Sequence, residues 1–311
     1  MAAFAVPGGT AAAAEFPDRP ITIIVPYTAG GSSDALARLL GKQLGEQLGQ
    51  TVVVDNKPGA GATLGTALVA KAPADGYTLL LADTAQTTAP SLYPQLSYDA
   101  VNSFRAVGMI GVTPAMLFAS QQSKLKSVKD MVEAQKKQPA GFSIGVGAGS
   151  ASQFISELFQ LQSAVKLQMV PYKGASQAVV DVLGGQIDLI FTNPASAAQY
   201  LKTGKLNVIG VTGAQRHPAF PDTPTFREQG VEGMNVSYWF ALLLPAGVPE
   251  PIAQRWEKEL AKALSSAPVR RTLAELGITP GQTTAAQTQR FMADDKATWA
   301  RIAKAANIKP Q

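Results

Sequence analysis

Residues 21–34 read ITIIVPYTAGGSSD, and the rest of the chain is interpreted outward from them. Ile21 to Val25 is an apolar, β-rich run of the kind buried in a parallel sheet covered on both faces. Pro26 to Ser33 supplies a Gly/Ser/Thr turn. Beyond it Leu36, Leu40, Leu44 and Leu48 recur every four residues, which places them on one face of an amphipathic helix. Thr51 to Val54 reads as a second buried strand, Asn56 to Gly65 as a second glycine loop with a helix start, and Tyr77 to Leu81 as a third strand. Strands and helices alternating through short connections predict an α/β fold.

The pattern restarts after a less regular stretch from Thr84 to Val107. A polar helix near Val128 to Lys137 precedes a strand at Phe142 to Val146. A helix carrying Phe154, Ile155, Leu158 and Phe159 follows the loop Gly147 to Ser152. Further strands are expected at Leu167 to Val170, Ile187 to Phe191 and Leu206 to Val211, with helices near Ala175 to Leu183 and Ala195 to Leu201. The chain returns through Tyr238 to Leu244 and ends in helices near Pro251 to Leu264, Val269 to Leu276 and Thr284 to Ala306. The two units are either beads on a string, or the second is an insertion in the first. Met116 to Phe118 and Phe240 to Leu244 favour insertion, because these crossings are apolar enough to pair as adjacent strands where a linker would be polar. The expected lobes are residues 16–118 with 242–311, and 119–241.

With 311 residues, 46% of them hydrophobic and 16% charged, the chain has core material for two domains. Its net charge of +5 is spread thinly and does not form a nucleic-acid footprint. The chain has no Cys and a single His, which excludes thiolate chemistry and most zinc sites and triads; a carboxylate-only magnesium site stays open. No metal or cofactor is expected. No apolar run approaches the ~20 residues that span a bilayer. Residues 1–15, MAAFAVPGGTAAAAE, are either an altered secretory leader or a disordered extension.

The loop at Tyr27 to Asp34 is the most informative local feature. Gly30 and Gly31 let the backbone bend so that N–H groups converge where a helix begins, and a carboxylate or phosphate would be well held there. Tyr27, Thr28, Gly30, Gly31 and Ser32 are its candidate contacts; the alternative is a tight turn with a serine cap. The same choice applies to Gly147 to Ser152, GAGSAS, where Gly149, Ser150 and the following Gln153 are candidates. None of these loops carries the lysine of a phosphate-binding P-loop, and the glycine spacings miss the dinucleotide pattern. Asp83, Thr84, Gln86 and Thr87 follow the third strand, where ligands of open α/β sheets collect; they either meet the uncharged or ammonium-bearing part of a ligand or form a solvated loop. Asn193 and Ser196 hold the analogous place in the second unit. His217 reads as part of a surface turn. Tyr238 and Trp239 either line the cleft or pack in a core. No catalytic residue is expected: G-x-S-x-G is missing, and the many serines show no recognisable pairing of a nucleophile with a buried lysine.

The chain resembles the Bug proteins, the extracytoplasmic receptors of tripartite tricarboxylate transport systems. The likeness runs through FPDRPITIIVPYTAGGSSDALARLL (16–40), VVVDNKPGAGATLG (52–65), ADGYTLLLA (74–82), VPYKGASQAVVDVLGGQIDLIF (170–191), PDTPTFREQG (221–230) and LLLPAGVPEPI (242–252). It implies a type 2 periplasmic-binding-protein fold, with two α/β lobes, a two-strand hinge and a cleft. It also implies a monomeric periplasmic receptor that binds a small carboxylate (a dicarboxylate, an aromatic acid or an acidic amino acid) and passes it to a membrane permease. The resemblance places one carboxylate at Tyr27 to Ser32, with Gly147 to Gln153 closing from the other side. Many relatives carry a histidine where Gln153 stands and a Gly/Ser/His-rich segment in place of Asp83 to Thr88. A sensing role, or a hydrolase acting on a small acid ester, is the alternative function.

Overall fold

The computed structural model describes residues 16–147, 150–172, 174–201, 204–281 and 283–310; the expectation for 1–15 and the candidate Gly149 fall outside these residues. The chain begins with strand β1 (Ile21–Val25), helix α1 (Ser32–Leu48), β2 (Val52–Asn56), α2 (Thr63–Ala70), β3 (Thr78–Asp83) and α3 (Ala85–Leu92). A long β4 (Phe104–Pro114) runs through Ala115 into β5 (Met116–Ser120). Then come α4 (Val128–Gln135), β6 (Phe142–Gly147), α5 (Ala151–Ser163), β7 (Leu167–Tyr172), α6 (Ala175–Leu183), β8 (Leu189–Thr192), α7 (Pro194–Leu201) and β9 (Leu206–Val211). The return strand β10 (Ser237–Pro245) leads to α8 (Glu250–Ser265), α9 (Ala267–Glu275), the short β11 (Thr279–Pro280) and α10 (Ala285–Ala305).

Two sheets result. The first has the order β11-β4-β10-β3-β1-β2 and the second β7-β6-β8-β5-β9. In the first, β1 runs parallel to β2 and β3, while β10 is antiparallel to β3 and β4. The uniformly apolar β1 is explained by burial on both faces: Ile21, Ile23 and Val25 pack with Leu36, Leu40 and Leu44 of α1, and Ile24 joins a separate cluster with Val69 and Trp239. α1 ends where Gly49 turns left-handed (φ 66°) and its N–H bonds the Gly45 carbonyl.

The crossings differ from expectation. β5 belongs wholly to the second sheet and β10 wholly to the first, so the two do not pair with each other. The chain changes sheets at Ala115 and again between Val211 and Ser237, offset from the expected points at 118 and 242. It is β4 that accompanies β10 up to the crossing, beginning with Ser237 opposite Pro114. The stretch Thr84 to Val107, read as irregular, holds α3 and the start of β4.

The C-terminal helices pack back on the first sheet, α8 against α1 and β4 and α10 against α3 and β4. α10 also reaches α5 of the second unit, where Trp299 meets Phe154 edge-on at 5.7 Å between ring centres. Trp299, Ile302 and Ala303 share a core with Phe154, Phe159 and Phe191. One helix therefore contributes to the packing of both sheets.

Candidate functional site

The first glycine loop leaves the carboxyl end of β1 and enters α1. Its Thr28, Gly30 and Gly31 are exposed and Ser32 is half-buried. The sharp bend is at Gly30, whose φ of +92° favours glycine, whereas Gly31 is extended (φ −87°, ψ 176°) with open space around it. Gly31 is the N-cap of α1, so no side chain competes for the N–H groups of the first turn.

Asp34 holds the loop from inside. One of its oxygens accepts the Gly30 N–H at 3.0 Å and Arg38 Nε at 3.1 Å, and the other accepts Asn56 Nδ2 at 3.1 Å. The same Asn56 amide donates to the Tyr27 carbonyl at 3.0 Å. Burial works to raise the Asp34 carboxyl, but the bonds from Arg38, Gly30 and Asn56 and the Arg38 charge outweigh it and hold the pKa below the ordinary value. Arg38 is thus committed to Asp34. The loop leaves the backbone N–H groups at the amino end of α1 without a side-chain cap.

Asp83 ends β3 behind the loop. Its Oδ1 accepts Tyr27 Oη at 2.8 Å and the Ala85 N–H at 2.9 Å, and its Oδ2 accepts Ser33 Oγ at 3.3 Å. Burial raises its pKa despite these bonds. Burial, then the Asp83 charge, lift Tyr27 well above a normal tyrosine, and the same two causes raise Tyr238 on the crossing strand β10.

From the second sheet, Asn193 follows β8 and caps α7: its Oδ1 accepts Ser196 N at 3.0 Å and Ser196 Oγ at 3.2 Å. Ser32 of the first loop reaches this turn. Its Oγ lies 3.5 Å from Asn193 Oδ1 and 3.4 Å from Ser196 Oγ, both at the outer limit of a hydrogen bond. Tyr238 Oη likewise lies 3.5 Å from the Phe191 carbonyl at the end of β8. Tyr27, Ser32, Asp83, Tyr238, Asn193 and Ser196 therefore gather where the two units meet. In the other second-unit loop, Ser152 Oγ accepts the Gly147 N–H at 3.0 Å and bonds Ser150 Oγ at 2.8 Å. The Gln153 N–H reaches the Ser150 carbonyl at 3.0 Å, and α5 starts with no side-chain bond at its N-cap, Ser150.

Three expected residues make hydrogen bonds within the fold. Asp83 to Thr88 is not a solvated loop: Ala85 to Thr88 form the first turn of α3 and are buried. Gln86 donates to the Ala100 carbonyl at 2.7 Å, beneath the helix. Thr87 donates to Asp295 of α10 at 2.6 Å, and Thr84 Oγ1 accepts the Trp239 N–H at 3.1 Å. These contacts tie each residue into the fold, while Gln86 Oε1 is buried with no hydrogen-bond partner. Trp239 is fully buried and bonds Asp295 through Nε1 at 2.8 Å, so it is a core residue. His217 stacks on Phe220 in a turn, with Nδ1 accepting the Ala219 N–H at 3.2 Å. Reading the sequence alone missed Asp34 and Asn56 as supports of the loop.

A cavity of about 450 Å³ lies beside Arg216, Thr225, Arg227 and Glu228. Another of about 250 Å³ lies near the sheet change, beside Pro114, Thr212 and Ser237. At the loops, Ser32 sits against Asn193 and Ser196.

Comparison with known proteins bears on the family and the fold. The family model "Tripartite tricarboxylate transporter family receptor" matches residues 36–308. BugT of Bordetella pertussis is 36% identical over 297 residues, covering 94% of this chain and 91% of BugT. The structure of the periplasmic binding protein BugD matches with a TM-score of 0.87 at 33% identity, covering 95% of this chain and 100% of BugD. Rpa4515 of R. palustris, solved with adipate, matches with a TM-score of 0.90 at 32% identity, covering 96% of this chain and 100% of Rpa4515. The two sheets are the two lobes of the periplasmic-binding-protein fold, and the chain belongs to the tripartite tricarboxylate transporter receptor family, the Bug-like solute-binding proteins.

Proposed function

We propose that this receptor captures a small carboxylate between its lobes in the periplasm, as a monomer, and delivers it unchanged to a membrane permease. The observation that carries this is the junction at Ser32: the uncapped amino end of α1 meets the Asn193–Ser196 turn, with Arg38 bound to Asp34. Such a site offers N–H groups and a positive helix end, which suits a carboxylate held by backbone. One ligand carboxylate rests on Tyr27, Thr28, Gly30, Gly31 and Ser32, Ser150 and Gln153 close over it, and Asn193 and Ser196 meet the ligand's other end. Adipate in Rpa4515 supports the ligand class. The lobes follow the sheets, with boundaries at Ala115 and within 212–236. Among the described residues no helix is long and apolar enough to cross a membrane, which fits a receptor that works with a separate permease.

A thermal-shift screen of dicarboxylates, aromatic acids, acidic amino acids, sugars and cationic amino acids tests this. A ligand at a hundred times its Kd adds about 2.7 kcal/mol to the folded state, a readily measured shift. At least one carboxylate is expected to stabilise the protein. Stabilisation by sugars or cationic amino acids with every carboxylate silent would refute the proposal.

A further inference from the structure

We propose that Asp83 is the positioning residue of the first glycine loop: one carboxylate clasps the loop at both ends and sets the N–H groups that receive the ligand, without touching the ligand. This rests on the loop being the carboxylate site.

Tyr27 precedes Thr28 to Ser32 and Ser33 follows it, and both donate their hydroxyls to Asp83, at 2.8 and 3.3 Å. The third donor, the Ala85 N–H, fixes the carboxylate to the start of α3. Asp83 has a firm base for this task. It is the last residue of β3, which lies between β1 and β10 in the first sheet, and Phe240 of β10 is its register partner. Asp34 and Asn56 hold the interior of the same loop, so the two carboxylates divide the work between middle and ends.

All three donors to Asp83 are neutral, and they occupy most of the roughly four acceptor positions of a carboxylate. A carboxylate exposed to an anionic ligand would repel it. Placed behind Tyr27 and Ser33, Asp83 acts through them: it fixes the loop's shape while the hydroxyls stand between the two charges.

The full-length chain is made as Asp83→Ala, Asp83→Asn, Tyr27→Phe and the Asp83→Ala/Tyr27→Phe double variant. Two properties are measured: amide exchange of residues 28–34 without ligand, and calorimetric affinity for adipate, benzoate and glutamate. Losing the clasp in Asp83→Ala is expected to speed loop exchange by on the order of tenfold, as for one or two lost hydrogen bonds. It is also expected to weaken all three acids that bind by a similar factor. Asp83→Asn, whose amide oxygen still accepts from Tyr27 and Ala85, should restore most of both properties. Adding Tyr27→Phe to Asp83→Ala should cost little more, since the two share one interaction.

Unchanged loop exchange in Asp83→Ala, or a loss confined to glutamate, overturns the proposal; the latter would make Asp83 a contact for the ammonium group. If Asp83→Ala does not fold, the Tyr27→Phe/Ser33→Ala pair removes the same clasp from the other side and is judged by the same outcomes. Wild-type protein that binds none of the acids defeats the carboxylate reading, and loop exchange then still decides whether Asp83 is a brace.

Discussion

The first glycine loop of the first lobe and the turns near it from the second are held by different chemistry. Asp34 and Asp83 organise Tyr27 to Ser33, and Asp295 gathers Thr87, Trp239 and Trp299 nearby. In the second lobe Ser150, Ser152, Asn193 and Ser196 do the same work with hydroxyls and an amide. Buried carboxylates form stronger hydrogen bonds but are costly to desolvate and respond to pH; hydroxyls bond more weakly and do not titrate in the working range. The first-lobe loop is braced by carboxylates, and the second-lobe turns by hydroxyls and an amide.

The largest effect should come from Asp295→Ala. Its Oδ2 alone accepts Thr87 Oγ1 at 2.6 Å, Trp239 Nε1 at 2.8 Å and Trp299 Nε1 at 2.9 Å, and all three donor residues are fully buried. Leaving these donors unmatched should cost about 3 kcal/mol in chemical denaturation. A loss below about 1 kcal/mol would show that the carboxylate does not organise this lobe.

A change at the glycines sharpens the comparison within the first loop. Gly30→Val forces a β-branched residue to φ +92° and should cost about 1–2 kcal/mol as well as ligand affinity. Gly31→Val has an ordinary backbone and open space, so it should be the milder change by calorimetry. The opposite order would place the critical bend at Gly31.

In the second lobe, Ser152→Ala removes an acceptor for Gly147 N–H and a partner for Ser150, and should cost about 1 kcal/mol. Its effect should be flat with pH, unlike those of the carboxylates. The Asp34 pKa is lowered, so its stabilisation is present above the unfolded carboxyl pKa and is lost as pH falls through the folded value. Burial raises Asp295, outweighing its bonds, so its contribution is greatest below the unfolded pKa and declines as pH rises through the folded value. Denaturation across the acid range should therefore show the gap between wild type and Asp34→Asn widening with rising pH, and that for Asp295→Asn narrowing. Parallel slopes for the two would contradict these assignments.

The apolar strands and the leucine stripe of α1 were legible because burial on both faces leaves a continuous or periodic apolar pattern. The helix α6 and the strand β9 appear at the expected residues for the same reason. α3 was not legible: AQTTAPSL has no apolar period and contains Pro90, so only its packing under α10 makes it a helix. The loop Tyr27 to Ser32 and the Asn193–Ser196 turn could be found from glycines, hydroxyls and their places after strands. The inward use of Gln86 and Thr87 could not, because their partners Ala100 and Asp295 are set by tertiary contact. Nor do adjacent glycines reveal which one takes the positive φ.

Amide chemical-shift mapping of the isotopically labelled protein with adipate tests the central claim most directly, since even weak binding shows in the shifts. The account predicts that the changes converge on Ser32 to Asp34 and on Asn193 to Ser196, across the junction of the lobes. Shifts confined to the cavity beside Arg216 and Glu228, with the glycine loop silent, would contradict it.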